Sequence, residues 1–186
     1  MLACFTDGPR VGLCAMTASL KIDFVSDVSC PWCAVGLGAL EQALDRLQGT
    51  VSAELHFQPF ELNPDMGPEG QDLSEHLTQK YGSTAEDQAR IRQTITARGQ
   101  EVGFAFNPDG RGRVWNTFDA HRLLAWAEGQ GEGAQLRLKK ALLAAYHGRA
   151  EHIADKAVLL AAVREAGLNE VAANEVLDMD AYADKV

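Results

Sequence analysis

The sequence predicts a mixed α/β fold: one βαβ unit followed by a large all-helical block. Three observations predict it. Residues 19–27, SLKIDFVSD, alternate apolar Leu20, Ile22 and Phe24 with Lys21 and Asp23, the period of a strand. Residues 51–60, VSAELHFQPF, set Val51, Ala53, Leu55 and Phe57 on one face, a second strand. Between them Leu37, Leu40, Leu44 and Leu47 recur at helical spacing. A strand, a helix and a strand in that order make a βαβ unit, so the strands should be parallel.

The elements follow in order. Gln48 and Gly49 stop the first helix. ELNPDMGPEG, residues 61–70, is a loop by its prolines and glycines, with Asp65 and Glu69 solvated. Beyond it the periodicity predicts helices near 71–81, 84–101, 115–129, 134–147, 153–166 and 168–178, and no further strand. FNPDGRGRVWN, residues 106–116, is the clearest break, and Asn116 or Thr117 is the expected cap of the helix after it. Trp115, Phe118 and Trp126 are expected in that one helix as core residues. His147 and His152 flank GRAE at a helix end and are expected in solvent. The domain reading is an N-terminal extension over 1–18, a βαβ half over 19–65, a helical insertion over 66–167 and a helical return segment over 168–186.

Composition bounds the function. At 46% hydrophobic and 23% charged, the chain of 186 residues has material for a real core. A net charge of -9 argues against a nucleic-acid surface, which needs a basic face. No window is apolar enough to span a membrane. The N-terminus has no basic region, and Asp7, Gly8, Pro9 and Arg10 break its apolar run, so the expected compartment is the cytoplasm. Residues 1–15 are expected to be a disordered extension or an unused upstream start, with Cys4 and Cys14 as free thiols.

The motif that carries chemistry is VSCPWCAVG, residues 28–36. Cys30 and Cys33 can be a redox pair, half of a metal site, or two buried thiols. The redox reading has a mechanical reason. Two intervening residues put both sulfurs on the first helical turn, within disulfide reach. The first sulfur then faces the unpaired N–H groups and the positive end of the helix dipole, which favours thiolate. Pro31 suits that turn because its missing N–H would have had no partner. Cys30 becomes the nucleophile and Cys33 the resolving thiol. Zinc needs two more ligands. Neither Cys4 and Cys14 nor His56, His76, His121, His147 and His152 supply a zinc-like spacing. No metal and no cofactor is therefore expected. GLGAL, residues 36–40, lacks the third glycine of a nucleotide fingerprint.

IDFVSDVSCPWC, FQPFELNPDMGPEGQDL and NTFDAHRLLAWA together resemble the DsbA-like thioredoxin-fold oxidoreductases, in particular their cytosolic FrnE-type branch. The resemblance runs from about Leu20 to the end. It implies a thioredoxin-like βαβ unit interrupted by an inserted helical domain. It implies thiol–disulfide exchange with protein or small-molecule disulfides and thiols, glutathione among them, through a dithiol on Cys30 and Cys33. Pro31 and Trp32 become the substrate-contacting residues. A sister group, the kappa-type glutathione transferases and hydroxychromene-carboxylate isomerases, has serine at the place of Cys30. That alternative, and a non-catalytic fragment, stand beside the oxidoreductase reading. The family pattern ends with a cis-proline loop, two antiparallel strands and a closing helix, and no proline follows residue 108 here. The expectation is a fold whose C-terminal strands are missing, and whose uncovered sheet favours a homo-oligomer.

Overall fold

β1 (Ala18–Ser26) and β2 (Val51–Pro59) pair in parallel, with Ile22 opposite Leu55 and Phe24 opposite Phe57. The protein is described over residues 18–186 by a computed structural model. The expected N-terminal extension, with Cys4 and Cys14, lies outside the described residues. The crossover between the strands is α1 (Pro31–Arg46). Its apolar face packs on the sheet: Phe24 reaches Gly36, and Ala34 and Leu37 are buried with Phe57. Gly49 adopts a φ of +80° in the turn into β2, a conformation that suits glycine.

The helical block begins with α2 (Leu73–Tyr81) and α3 (Ala85–Glu101). Asp72 caps α2 by accepting from the N–H groups of Ser74 and Glu75, and Thr84 and Asp87 form a capping box on α3. The end of α3 returns to α1. Gln42 Nε2 donates to the Glu101 carbonyl at 3.0 Å, and a Cβ at Gly38 would stand 2.9 Å from Val102 Cγ2. Then come α4 (Phe118–Glu128), α5 (Ala134–Leu143), α6 (Lys156–Glu165) and α7 (Glu170–Asp178). These bury one core containing Leu123, Trp126, Leu138, Leu142, Leu159, Val163 and Val176. Arg122 of α4 donates to the carbonyls of Val176, Met179 and Ala181, closing the far end of α7.

The structure corrects several expectations. Segments read as purely helical or loop contain a two-residue antiparallel ladder, β3 (Gln71–Asp72) with β4 (Arg113–Val114). Such short strands leave no period for a sequence to display. The ladder is held from the core side by Tyr146, whose hydroxyl donates to the Arg113 carbonyl at 2.8 Å. Trp115 is not part of α4. It precedes the helix and stacks on His152 with ring centroids 3.5 Å apart. The cap is supplied by Asn116, whose Oδ1 accepts from Phe118 N at 2.8 Å, while Thr117 occupies the cap position without a side-chain bond. His147 is not solvated: it is 4% exposed, inside a π-helical turn over Ala144–Gly148 that extends α5. His152 is also partly covered, by the Trp115 ring.

The outer edge of β2 is closed by one side chain. Gln135 of α5 accepts from Phe57 N at 2.8 Å and donates to the carbonyls of Phe57 and Leu124, both at 3.1 Å. It completes the backbone pairing that a third strand would otherwise provide at that position. Gln135→Leu keeps the volume and orphans the buried N–H and C=O of Phe57. The expected loss is about 2–6 kcal/mol of unfolding free energy, at about 1–3 kcal/mol per buried unsatisfied group, read by urea denaturation.

Candidate active site

The cysteines stand where β1 hands the chain to α1. Cys30 is the N-cap of α1, with φ -90° and ψ 115°, and Pro31 is the first helical residue. The four residues before the helix form a tight turn set by Asp27. Its Oδ1 accepts from Ser29 N at 3.0 Å, and its backbone carbonyl accepts from Cys30 N at 3.2 Å. Oδ2 accepts from Leu62 N at 2.7 Å, pinning the loop after β2 beneath the same turn. Asp27 is 1% exposed, so its charge is held almost wholly by these donors and by His121 Nε2 of α4 at 3.2 Å.

A second pair of groups holds the carbonyl side of the turn. His147 Nε2 donates to the Val28 carbonyl at 2.9 Å. Arg111 Nη1 donates to the Ser29 carbonyl at 2.8 Å and lies 3.4 Å from His147 Nδ1. The π-helical turn carries His147 to this position, and such turns recur at functional places in helices. The backbone carbonyls of the two residues before Cys30 are thus satisfied by side chains from two separate segments of the helical block.

Electrostatics follow from this packing. Cys30 is pulled down to about 6, first by a hydrogen bond from the Cys33 thiol and further by the N–H groups of Cys33 and Trp32. Cys33 is pushed up, because it donates to the Cys30 sulfur and because it is buried beside that charge. Burial alone would raise Asp27, but the hydrogen bonds from His121, Leu62 and Ser29 outweigh it and hold the carboxyl below its usual range. Burial lowers both His121 and His147, and Arg111 lowers His147 further, so both rings are neutral donors. Lys139 of α5, wholly buried, is drawn down to about 8 by burial.

Beside Cys30 opens a cleft of about 690 Å³. Cys30, Pro31 and Trp32 form one wall; Leu77, Ile91 and Ile95 of α2 and α3 contribute the apolar opposite side. Trp32 is 47% exposed and Ile91 46%, so both leave apolar surface open at the cleft. The structure therefore brings together all four residues that the sequence singled out. Sequence reasoning missed Asp27, Gln135, Lys139, His147 and Arg111. Asp27 had a signal, lying three residues before Cys30; the others lie far along the chain and had none. Among the described residues no group of three or more His, Cys, Asp or Glu side chains gathers as metal ligands, and no helix is long and apolar enough to cross a membrane.

Residues 21–186 match the DsbA-like thioredoxin domain. The chain belongs to the DsbA-like thioredoxin family. Solved structures agree with this membership. A probable DsbA oxidoreductase from Streptomyces coelicolor is 29% identical with a TM-score of 0.79, over 89% of this chain and 71% of that one. The cytosolic disulfide reductase DsbM from Pseudomonas aeruginosa, solved with glutathione, is 20% identical with a TM-score of 0.56, over 88% and 72%. A 2-hydroxychromene-2-carboxylate isomerase shares the fold at 10% identity and a TM-score of 0.54, over 89% and 74%. No curated protein matches the sequence significantly. The DsbA-like fold with its helical insertion is as the sequence predicted.

The depressed Cys30 thiol has a direct consequence. Its alkylation by iodoacetamide is expected to rise through a midpoint near 6, with Cys33 unlabelled until far higher pH. Mass mapping across a pH series checks this; labelling of Cys33 before Cys30 would reverse the assignment.

Proposed function

We propose that this DsbA-like protein is a thiol–disulfide oxidoreductase or isomerase whose working pair is Cys30 and Cys33. The observation that carries the reading is the polarised dithiol: two free cysteines on one helical turn, the first drawn toward thiolate and the second held protonated as its hydrogen-bond donor. In the reducing direction Cys30 Sγ attacks a substrate disulfide, forms a mixed disulfide and expels one substrate thiolate. Cys33 Sγ then attacks Cys30 Sγ, the enzyme disulfide forms, and the second substrate thiol leaves. No cofactor takes part; an external thiol or disulfide resets the pair.

The cleft supports a peptide-like substrate. Trp32 and Pro31 flank Cys30 as the expected contact residues, and Ile91 and Ile95 supply apolar surface across from them. Arg90, Arg92 and Arg111 line it beside Asp72, Asp87 and Asp109, a mixed-charge lining that suits peptides and thiols carrying both carboxylate and ammonium groups. Glutathione, the ligand in the DsbM structure, belongs to that class. A cytoplasmic setting fits a dithiol that must be kept reduced to reduce others. The isomerase likeness is a likeness of fold, and the two thiols favour redox chemistry over it.

The test is turnover and trapping. Wild-type protein is expected to reduce insulin or to refold scrambled-disulfide substrate, and Cys33→Ser to accumulate mixed disulfides through Cys30. Cys30→Ser is expected to trap far fewer. Equal trapping by the two variants, or wild-type turnover that survives loss of both thiols, would overturn the reading.

A further inference from the structure

Lys139 sits where a lysine is expensive. It is 0% exposed, and its Nζ has no hydrogen-bond partner among the described residues. An ammonium buried without an ion partner or full hydrogen bonding costs several kcal/mol, so apolar replacements should be favoured on stability alone. Its position is fixed by its neighbours on α5. Leu136 and Leu143, one turn to either side, pack with Ala34, Leu37 and Phe57. Gln135 grips the backbone of Phe57, and Lys139 Nζ stands 6.0 Å from the Phe57 ring centroid. Ala34 directly follows Cys33. Lys139 thus approaches the dithiol from the core, and it is not among the residues that line the open cleft.

The groups around it narrow its role. The charges that act on Lys139 are, in order, those of Cys33, Asp27 and Cys30. From α4 and the π-helical turn it is faced by His121 and His147, both neutral. From α6 the buried residues are apolar, Leu159, Ala162 and Val163. Asp27 is saturated by Ser29, Leu62 and His121 and stays an anion, so its carboxylate can neither give nor store a proton for the cysteines. Among the described residues, the cation whose charge acts on Cys33 is this lysine.

We infer that Lys139 is a positioning residue for the resolving step, placing a positive charge beside Cys33 so that its thiol ionises next to the mixed disulfide. The inference rests on the oxidoreductase reading above. In the step, Cys33 Sγ releases its proton, which ends on the departing thiolate or, where that thiolate is a weak base, in solvent. The Cys33–Cys30 bond forms as the Cys30–substrate bond breaks; the dithiol is oxidised and the substrate reduced by the same two electrons. Lys139 stays an ammonium throughout. Its help has a pH window. The cation is drawn down to about 8 beside the reduced dithiol and lower still once the Cys30 thiolate is consumed in the mixed disulfide, so the advantage it confers fades as pH rises and is gone by that value.

A single-turnover reaction with an aryl disulfide, dithiobis-nitrobenzoate, separates the two claims. Reduced wild-type protein should release one coloured thiolate as Cys30 attacks and a second as Cys33 resolves. In Lys139→Met the second phase is expected to slow about tenfold well below pH 8, as removal of a nearby partly screened charge shifts a thiol by about a unit. The two proteins should converge above that pH, while the variant melts at higher temperature because the buried charge is gone. A second phase missing from wild type overturns the oxidoreductase reading. A normal wild-type second phase that Lys139→Met leaves unchanged, or slows equally at every pH, overturns the inference alone. A measurement on wild type decides the matter even if the variant does not fold. The Lys139 ¹³Cε titration should move to lower pH when the dithiol is oxidised and its thiolate lost; identical titrations in both redox forms would refute the coupling.

Discussion

The carboxylate of Asp27 accepts hydrogen bonds from three directions: Ser29 ahead of the cysteines, Leu62 in the loop after β2, and His121 on α4. A buried anion is tolerated only when it is satisfied in this way. Each donor comes from a different part of the chain, so the charge can be buried only if all of them arrive together. The βαβ half and the helical block are thereby bound to one another at the point where the chain enters α1. His147 and Arg111 complete the enclosure from the carbonyl side. The turn that presents Cys30 is consequently rigid for reasons that reside mostly outside it.

That rigidity has a chemical result. A CxxC segment can place two sulfurs on one turn, but the difference between them depends on what surrounds the turn. Here Cys30 meets the N–H groups of the helix start and lines the open cleft, while Cys33 does not line the cleft and feels the charge of buried Lys139. One sulfur is free to meet a substrate, and the other is kept as a proton-bearing donor. The helical block serves this asymmetry twice. It walls the cleft with α2 and α3, and it supplies Gln135, Lys139 and His147 from α5 and its π-helical extension.

The strands, the helix between them and the later helices were legible because their apolar residues repeat at 2.0 or 3.6 residues. Leu20, Ile22 and Phe24 declare β1; Leu37, Leu40 and Leu44 declare α1. Ends were less legible. The sequence offered Asn116 or Thr117 as the cap of α4 without choosing; Asn116 makes the side-chain bond while Thr117 holds the cap position, and Trp115 falls outside the helix, since capping depends on local backbone geometry that periodicity does not carry. The ladder between Gln71–Asp72 and Arg113–Val114 joins residues about forty positions apart over two residues each, too short for any pattern.

For the site the division is sharper. Cys30, Pro31, Trp32 and Cys33 could be read directly, because the physics of a helix N-terminus is local and their spacing places them on it. The burial of His147 and Lys139 could not be read. A histidine near a helix end and one of two adjacent lysines ordinarily lie in solvent, and only the packing of α5 against β2 and α1 turns them inward. The sequence by itself thus determined which residues are candidates for the chemistry and which element displays them. Tertiary structure decided the partners of those atoms, because desolvation and charge proximity are properties of the folded neighbourhood, assembled from residues that the chain keeps far apart.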